Sequence, residues 1–168
     1  MMNRRLSDAR RDRWLAGRAR LVTSAVVVAA LIGMVGAHAS LQASEPTADA
    51  VVAQPLESVT LTFTEAVEVA FSSFKVYRID AEVDMSSANA SMRLNALAAL
   101  LVTDFNGQGD DGEGKVVSTV LAPTGDATSV TLQFEGSVPA GHYVVMWRVL
   151  SVDTHVIDGH LVFTVTTE

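Results

Sequence analysis

The sequence predicts an all-β protein, built as an antiparallel β-sandwich or small barrel. In several short segments apolar and polar residues alternate with a period of two, which is typical of strands with one buried face. Residues that favour turns, mainly proline and glycine, separate these segments. No glycine-rich phosphate loop follows a strand and no β–α–β rhythm is present, so nucleotide-binding α/β folds are excluded. Short strands at this spacing favour a sandwich or barrel.

Five segments carry the strand pattern. In chain order they are residues 59–63, 74–79, 129–134, 143–149 and 161–165. The fourth is the most apolar, and one of its faces carries Tyr143, Val145, Trp147 and Val149. Met146 lies on its other face. Because Trp147 alternates with polar Arg148, we expect it in the core and not on a surface that binds substrate.

Residues 80–117 interrupt the strand pattern as an insertion. Leucines recur there at spacings of three and four residues, which predicts a short amphipathic helix around residues 91–102. These leucines are Leu94, Leu97 and Leu101. Ser91 is the predicted N-cap of the helix, because a serine hydroxyl can accept a hydrogen bond from a free N–H group of the first turn.

The segment after this helix, residues 104–115, partly matches a calcium-binding loop. Asp104, Asn106 and Gly109 stand at its first, third and sixth positions. The twelfth position requires a bidentate glutamate and is Lys115. Because a cation stands where the key ligand belongs, we predict a solvated acidic loop and no tight calcium site.

The first 37 residues have the features of a secretory signal peptide. Residues 1–20 contain seven arginines, residues 21–37 carry no charge, and the apolar run ends in small residues. An uncleaved anchor helix is the alternative, although seventeen residues is at the short limit for spanning a bilayer. Cleavage after Ala37 makes His38 the first residue, whereas cleavage after Ala39 removes it. We predict a signal peptide at 1–37, one domain at 38–168, and no membrane insertion after cleavage.

The remaining chain is acidic and contains no cysteine. Residues 38–168 hold five lysines and arginines against seventeen carboxylates, a formal charge of −12. Such a surface repels phosphate backbones, so we expect no nucleic-acid partner. The absence of cysteine excludes disulfides, thiolate metal sites and cysteine nucleophiles.

Two metal-ligating residue types stand close together directly after the most apolar strand. Asp153 and His155 are two residues apart, so in an extended segment their side chains point to the same side. Such a pair can bind a metal or merely fix a turn. If His38 is the first residue after cleavage, it adds an imidazole and an α-amino group with a pKa near 8. Three nitrogens and one oxygen suit tetragonal Cu(II), while nickel and zinc would bind more weakly.

The sequence resembles the CopC family of bacterial periplasmic copper-binding proteins. The segments that carry this resemblance are HASLQASEP (38–46), VTLTFTEAVE (59–68), YVVMWRVLSVDTH (143–155) and the closing G-x-x-x-F-T-V (159–165). The resemblance implies a Greek-key β-sandwich or barrel of the immunoglobulin/cupredoxin-like class. It also implies signal cleavage just before His38 and a Cu(II) site formed by the His38 amine and imidazole, Asp153 and His155. A CopD-type inner-membrane copper transporter is the implied partner.

Three functions remain open. The first is a non-catalytic, periplasmic carrier or buffer of copper, because four protein donors leave no strong open position for substrate. The second is a copper monooxygenase with an N-terminal histidine brace, and the third is a metal-free adhesion or assembly module. We favour the carrier, and therefore predict that the protein is not an enzyme.

Other potential ligands have simpler interpretations. The methionines after residue 38 form no cluster, so we expect no Cu(I) thioether site; they are Met85, Met92 and Met146. His142 follows a turn and is expected to be exposed. His160 is expected to be a surface residue of the last strand, with a supporting role at the metal as the alternative.

Overall fold

The computed structural model describes residues 39–53, 55–109 and 111–167, and these form a sandwich of two four-stranded sheets. The first sheet contains, in spatial order, β1 (Leu41–Glu45), β3 (Leu56–Glu68), β6 (Asp126–Val138) and β5 (Ser118–Leu121). The second contains β2 (Val51–Val52), β8 (Val156–Val165), β7 (Gly141–Leu150) and β4 (Ser73–Ile79). All five predicted strands are present, and the predicted sandwich is confirmed.

Strand pairing is antiparallel with one local departure. The two residues of β2 pair with β8 in parallel, opposite Thr164 and Val165. Every other pair of named strands runs antiparallel, including the ten-residue ladder between β7 and β8. This ladder holds the β7–β8 turn at one end of the second sheet.

The main core lies between the two sheets. The alternate residues Tyr143, Val145, Trp147 and Val149 of β7 all point into it, as predicted. The first sheet supplies Val59, Leu61 and Phe63 from β3 and Val130, Leu132 and Phe134 from β6. The ring of Phe63 meets the Trp147 indole edge to face, with centroids 6.2 Å apart.

The second sheet is buried on its outer face as well. The insertion forms helix α1 (Ala90–Phe105), which packs against Val144, Met146 and Val162 in a second core cluster. Phe105 stacks on Tyr77 of β4, with ring centroids 4.9 Å apart and planes inclined by 13°. Met146 is therefore buried although it lies opposite the main core, because the helix supplies a second apolar layer.

The start of α1 differs from the prediction. Its N-cap is Asn89, and Ser91 lies inside the first turn. The Ser91 hydroxyl donates a hydrogen bond to Oδ1 of Asp49 at 2.6 Å, and the amide of Asn95 donates to the same oxygen at 3.2 Å. Ser91 is thus no cap: its side chain connects the helix to the loop between β1 and β2.

The end of α1 and the acidic loop after it are bound by a buried lysine. Nζ of Lys75, which is 7% exposed, donates to the carbonyls of Phe105 at 3.1 Å and Gln108 at 2.8 Å. It also pairs with Oδ1 of Asp111 at 2.9 Å, and Lys115 pairs with the other oxygen at 2.5 Å. Bonds to Lys115 and Lys75 lower the pKa of Asp111. Three loop oxygens therefore surround an ammonium group.

No helix within the described residues is both long enough and apolar enough to cross a membrane.

Candidate metal centre

The β7–β8 turn is a tight loop closed by its own backbone. Ser151 N–H donates to the carbonyl of His155 at 2.9 Å, and Thr154 N–H donates to the carbonyl of Ser151 at 2.8 Å. Thr154 has φ +72°, which is rare for a β-branched residue and costs about 1–3 kcal/mol. The segment is thus a strained turn and not the extended chain from which the Asp153–His155 proximity was predicted.

The turn nevertheless brings Asp153 and His155 together. Nδ1 of His155 lies 3.0 Å from Oδ2 of Asp153, and the backbone N–H of His155 donates to Oδ1 at 3.3 Å. The side chains are 59% exposed for His155 and 31% exposed for Asp153. A carboxylate and an imidazole therefore share one solvent-accessible corner at the end of the sandwich.

The Asp153 carboxylate is held in its ionised form. Its partial burial favours the protonated acid, but the neighbouring Ser151 hydroxyl, together with the backbone N–H and the imidazole of His155, outweighs that effect. The pKa of Asp153 consequently lies below its ordinary value of 3.8. At neutral pH the group is a carboxylate, the form that binds metal cations.

The same turn is attached to β3. The backbone N–H of Val152 donates to the carbonyl of Ala66 at 3.3 Å, and Ser151 forms an isolated antiparallel bridge with Val67. Ser151 is fully buried at this junction. The Asp153–His155 pair thus stands on a corner formed by both sheets.

The beginning of the described chain runs along the same end of β3. The carbonyl of Ser40 accepts a hydrogen bond from Thr64 N–H at 2.8 Å, and Ser40 N–H donates to the Thr64 hydroxyl at 3.0 Å. Ala39 is completely buried in the main core. His38 and the predicted signal peptide at 1–37 lie outside the described residues.

The other two histidines after residue 38 lie on the helix side of the second sheet. His160 pairs across the ladder with Met146, whose side chain belongs to the cluster beneath α1. His142 stands near the start of β7, at the opposite end of the sheet from the turn. Contrary to prediction it is half-buried, and its Nδ1 forms a hydrogen bond with the Thr164 hydroxyl at 2.9 Å. Burial lowers the pKa of His142, assisted by the charge of Arg78, despite a backbone hydrogen bond at Val83 that raises it.

Within the described ranges, no three His, Cys, Asp or Glu side chains form a group that could hold a metal ion. Asp153 and His155 supply two donors. The three methionines after residue 38 differ in environment: Met92 is exposed, Met85 is half-buried and Met146 is fully buried.

Two residues of the turn carry no signal in the sequence. Ser151 is buried and helps to keep Asp153 ionised, but the sequence around it does not distinguish it from a surface serine. A left-handed backbone is usually indicated by glycine or asparagine, so Thr154 gave no indication of the turn.

The fold and this corner define a two-sheet β-sandwich protein with an exposed carboxylate–imidazole pair, Asp153 and His155, at its rim. The profile of the family described as the CopC domain matches residues 41–113 and 89–166. The chain therefore belongs to the CopC family, as the resemblance indicated.

Known proteins agree with this assignment. Copper resistance protein C of Escherichia coli is 33% identical over 129 residues, which are 77% of this chain and 82% of that protein. The crystal structure of PcoC, a methionine-rich copper resistance protein from Escherichia coli, has a TM-score of 0.53 and 29% identity, covering 77% of this chain and all of that one. The crystal structure of CopC from Methylosinus trichosporium OB3b shares the fold, with a TM-score of 0.53 and 24% identity over 78% of this chain and 96% of that one.

Proposed function

We propose that this protein is an exported, non-catalytic Cu(II) carrier or buffer that serves copper resistance. The observation that carries the proposal is the Asp153–His155 pair, held 3.0 Å apart at a solvent-exposed corner of a CopC-family sandwich. The names of the relatives support copper as the cargo.

The third residue of the proposed site is His38. β1 runs antiparallel to β3, with Leu41 opposite Phe63 and Ser40 bonded to Thr64. Each residue towards the N-terminus advances the chain by about 3.3 Å along β3. Continued in this register, His38 is expected opposite Ala66, whose carbonyl already binds the turn through Val152. The course of the neighbouring chain thus favours a meeting of His38 with the Asp153–His155 pair.

The proposed donors match the chemistry of Cu(II). The α-amine and imidazole of His38, the carboxylate of Asp153 and the imidazole of His155 provide three nitrogens and one oxygen, a set that suits tetragonal coordination. The α-amine exists only after cleavage of the signal peptide directly before His38. Burial of Ala39 supports that position, because cleavage after Ala39 would remove a side chain that fills the core.

We further propose that the protein acts in the periplasm and exchanges copper with a CopD-type inner-membrane transporter. A site with four strong protein donors favours retention of the ion over turnover of a substrate. Oxygen consumption with a reductant and a polysaccharide should therefore stay at the level of free copper. Consumption well above that level would instead support the monooxygenase.

The central experiment combines intact-mass analysis of the exported protein with electron paramagnetic resonance of its Cu(II) complex. We expect a mature chain that starts at His38, binds one Cu(II) and shows hyperfine coupling to nitrogen. As a control, the same chain with one extra residue before His38 should lose the tight site. A mature chain starting at Ser40, or a copper spectrum without nitrogen coupling, would exclude the proposed site.

A further inference from the structure

Helix α1 exposes apolar residues to solvent as well as to the sheet. Its outward face carries Met92, Ala96, Ala99, Leu100 and Thr103, here called the outer stripe. Met92 is 67% exposed and Leu100 is 63% exposed, and both alanines are exposed too. A helix with apolar residues on both sides is normally covered on both sides. The sheet covers only one side of α1.

Charges are confined to the two ends of this surface. Residues 94–103 carry no charge, Arg93 precedes them and Asp104 follows them. At about 100° per residue, Arg93 and Asp104 project from the same edge of the outer stripe, about 16 Å apart along the axis. Neither side chain forms an ion pair within the part of the chain that the structure describes.

We propose that a second copy of this chain covers the outer stripe, with the two α1 helices antiparallel about a two-fold axis. This axis lies between the two helices and perpendicular to both. It reverses the direction of the partner helix but leaves each edge of the outer stripe on the same side of the contact. Arg93 then faces the partner's Asp104, and Asp104 faces the partner's Arg93. In a parallel pair the two-fold axis runs along the helices and exchanges the two edges, so neither Arg93 nor Asp104 would meet an opposite charge. Only the antiparallel arrangement pairs them.

The apolar residues fit the same symmetry. Aligning Ala96 with the partner's Ala99 also aligns Met92 with the partner's Thr103. In this register Arg93 and the partner's Asp104 are offset by about 3 Å along the axis, a distance that the long arginine side chain can span. Small alanine side chains at the centre let the two helix axes approach to about 8 Å, the short limit for packed helices. Met92 and Leu100 then lose their exposed apolar surface at the edges of the contact. The proposal is independent of the copper site, since its residues lie on α1 and not on the β7–β8 turn.

The expected dimer is weak. One helix face offers less than the roughly 800 Å² per partner of a standard stable interface. The charge of −12 on residues 38–168 also opposes association of two copies. We therefore expect monomers at about 10 μM and a substantial fraction of dimers near 1 mM.

Sedimentation equilibrium of the exported protein tests this proposal across that concentration range. Leu100→Glu places a charge in the contact and should weaken association by about 100-fold or more. Val120→Glu is the matched control, because Val120 is an exposed apolar residue on β5, distant from α1 in the sandwich order. Far-ultraviolet circular dichroism and thermal unfolding verify that each variant folds.

A charge swap tests the antiparallel geometry. Arg93→Asp and Asp104→Arg should each weaken the dimer by about tenfold, and the double variant should restore it. Both positions are exposed, so the variants are expected to fold. A protein that stays monomeric at 1 mM overturns the proposal. So does a dimer that is insensitive to Leu100→Glu, or one that the double variant fails to restore.

Discussion

Nδ1 of His155 lies 3.0 Å from Oδ2 of Asp153, so the two residues proposed to bind Cu(II) contact each other at the β7–β8 turn. Their separation is set by the turn, because the backbone N–H of His155 also bonds to the Asp153 carboxylate. The protein therefore loses little side-chain freedom when both groups engage an ion, which favours tight binding.

Loss of a proposed ligand should weaken Cu(II) binding severely. We expect His38→Ala, Asp153→Asn and His155→Ala each to lower the affinity by about 100-fold or more, since each removes a strong donor. Competition with a chelator of known affinity measures the change. His160→Ala is the matched control, because His160 lies on the helix side of the sheet, and it should leave the affinity unchanged. A large loss with His160→Ala would move the site away from the turn.

Removal of the Lys75 ammonium should destabilise the protein. Lys75→Met leaves two carbonyls and one carboxylate oxygen without their donor, and we expect a loss of about 2 kcal/mol in the free energy of unfolding. Lys115→Met removes only the more exposed partner of Asp111 and should cost less than about 1 kcal/mol. Urea unfolding compares the two variants, and equal losses would show that burial of Lys75 has no energetic consequence.

Gly159→Ala should destabilise the sandwich by about 1–3 kcal/mol. A methyl group at this position would overlap the indole of Trp147, which is packed on the inner face of the second sheet. Gly136→Ala serves as the control, because a Cβ at Gly136 meets no atom within 4 Å. Thermal unfolding measures both. A stable Gly159→Ala protein would require the Trp147 ring to move, which its fluorescence would report.

The stability of the copper-free protein should fall as the pH drops below about 6.5, the ordinary pKa of histidine. The pKa of His142 is lowered in the folded state, so over this window the unfolded chain binds more protons. Stability therefore rises with pH between the folded pKa of His142 and 6.5, by no more than about 1.4 kcal/mol per pH unit. His142→Gln should flatten the slope, as measured by urea unfolding with a chelator present. An unchanged slope would assign the pH dependence to another group.

The strands and the Asp–His pair were predictable because their signals are local. Alternation along residues 143–149 identified the inner face of β7, and a spacing of two residues placed Asp153 beside His155. The proximity of the two side chains was predicted correctly although the backbone conformation was not, since a closed turn brings residues two apart together as well as an extended strand does.

The remaining features depend on contacts between distant segments. Burial of Met146 requires the insertion to fold over the sheet, and the acidic loop is organised by Lys75, roughly thirty residues earlier in the chain. Ser91 looked like a cap because its hydroxyl can serve one, but Asp49 offers it a stronger, charged acceptor. No local pattern of residues reports such partners.

Ala39 has no surface in contact with solvent. An aminopeptidase must hold the first residues of its substrate in an extended form, so it could not take residue 39 without first extracting it from the folded interior. In the proposed mature protein, which begins at His38, folding would thus protect the chain from trimming beyond its first residue. An enzyme that removed only His38 would abolish the proposed chelate while leaving the sandwich intact. Proteolysis during storage should therefore lower the copper content of a preparation more than it lowers the melting temperature.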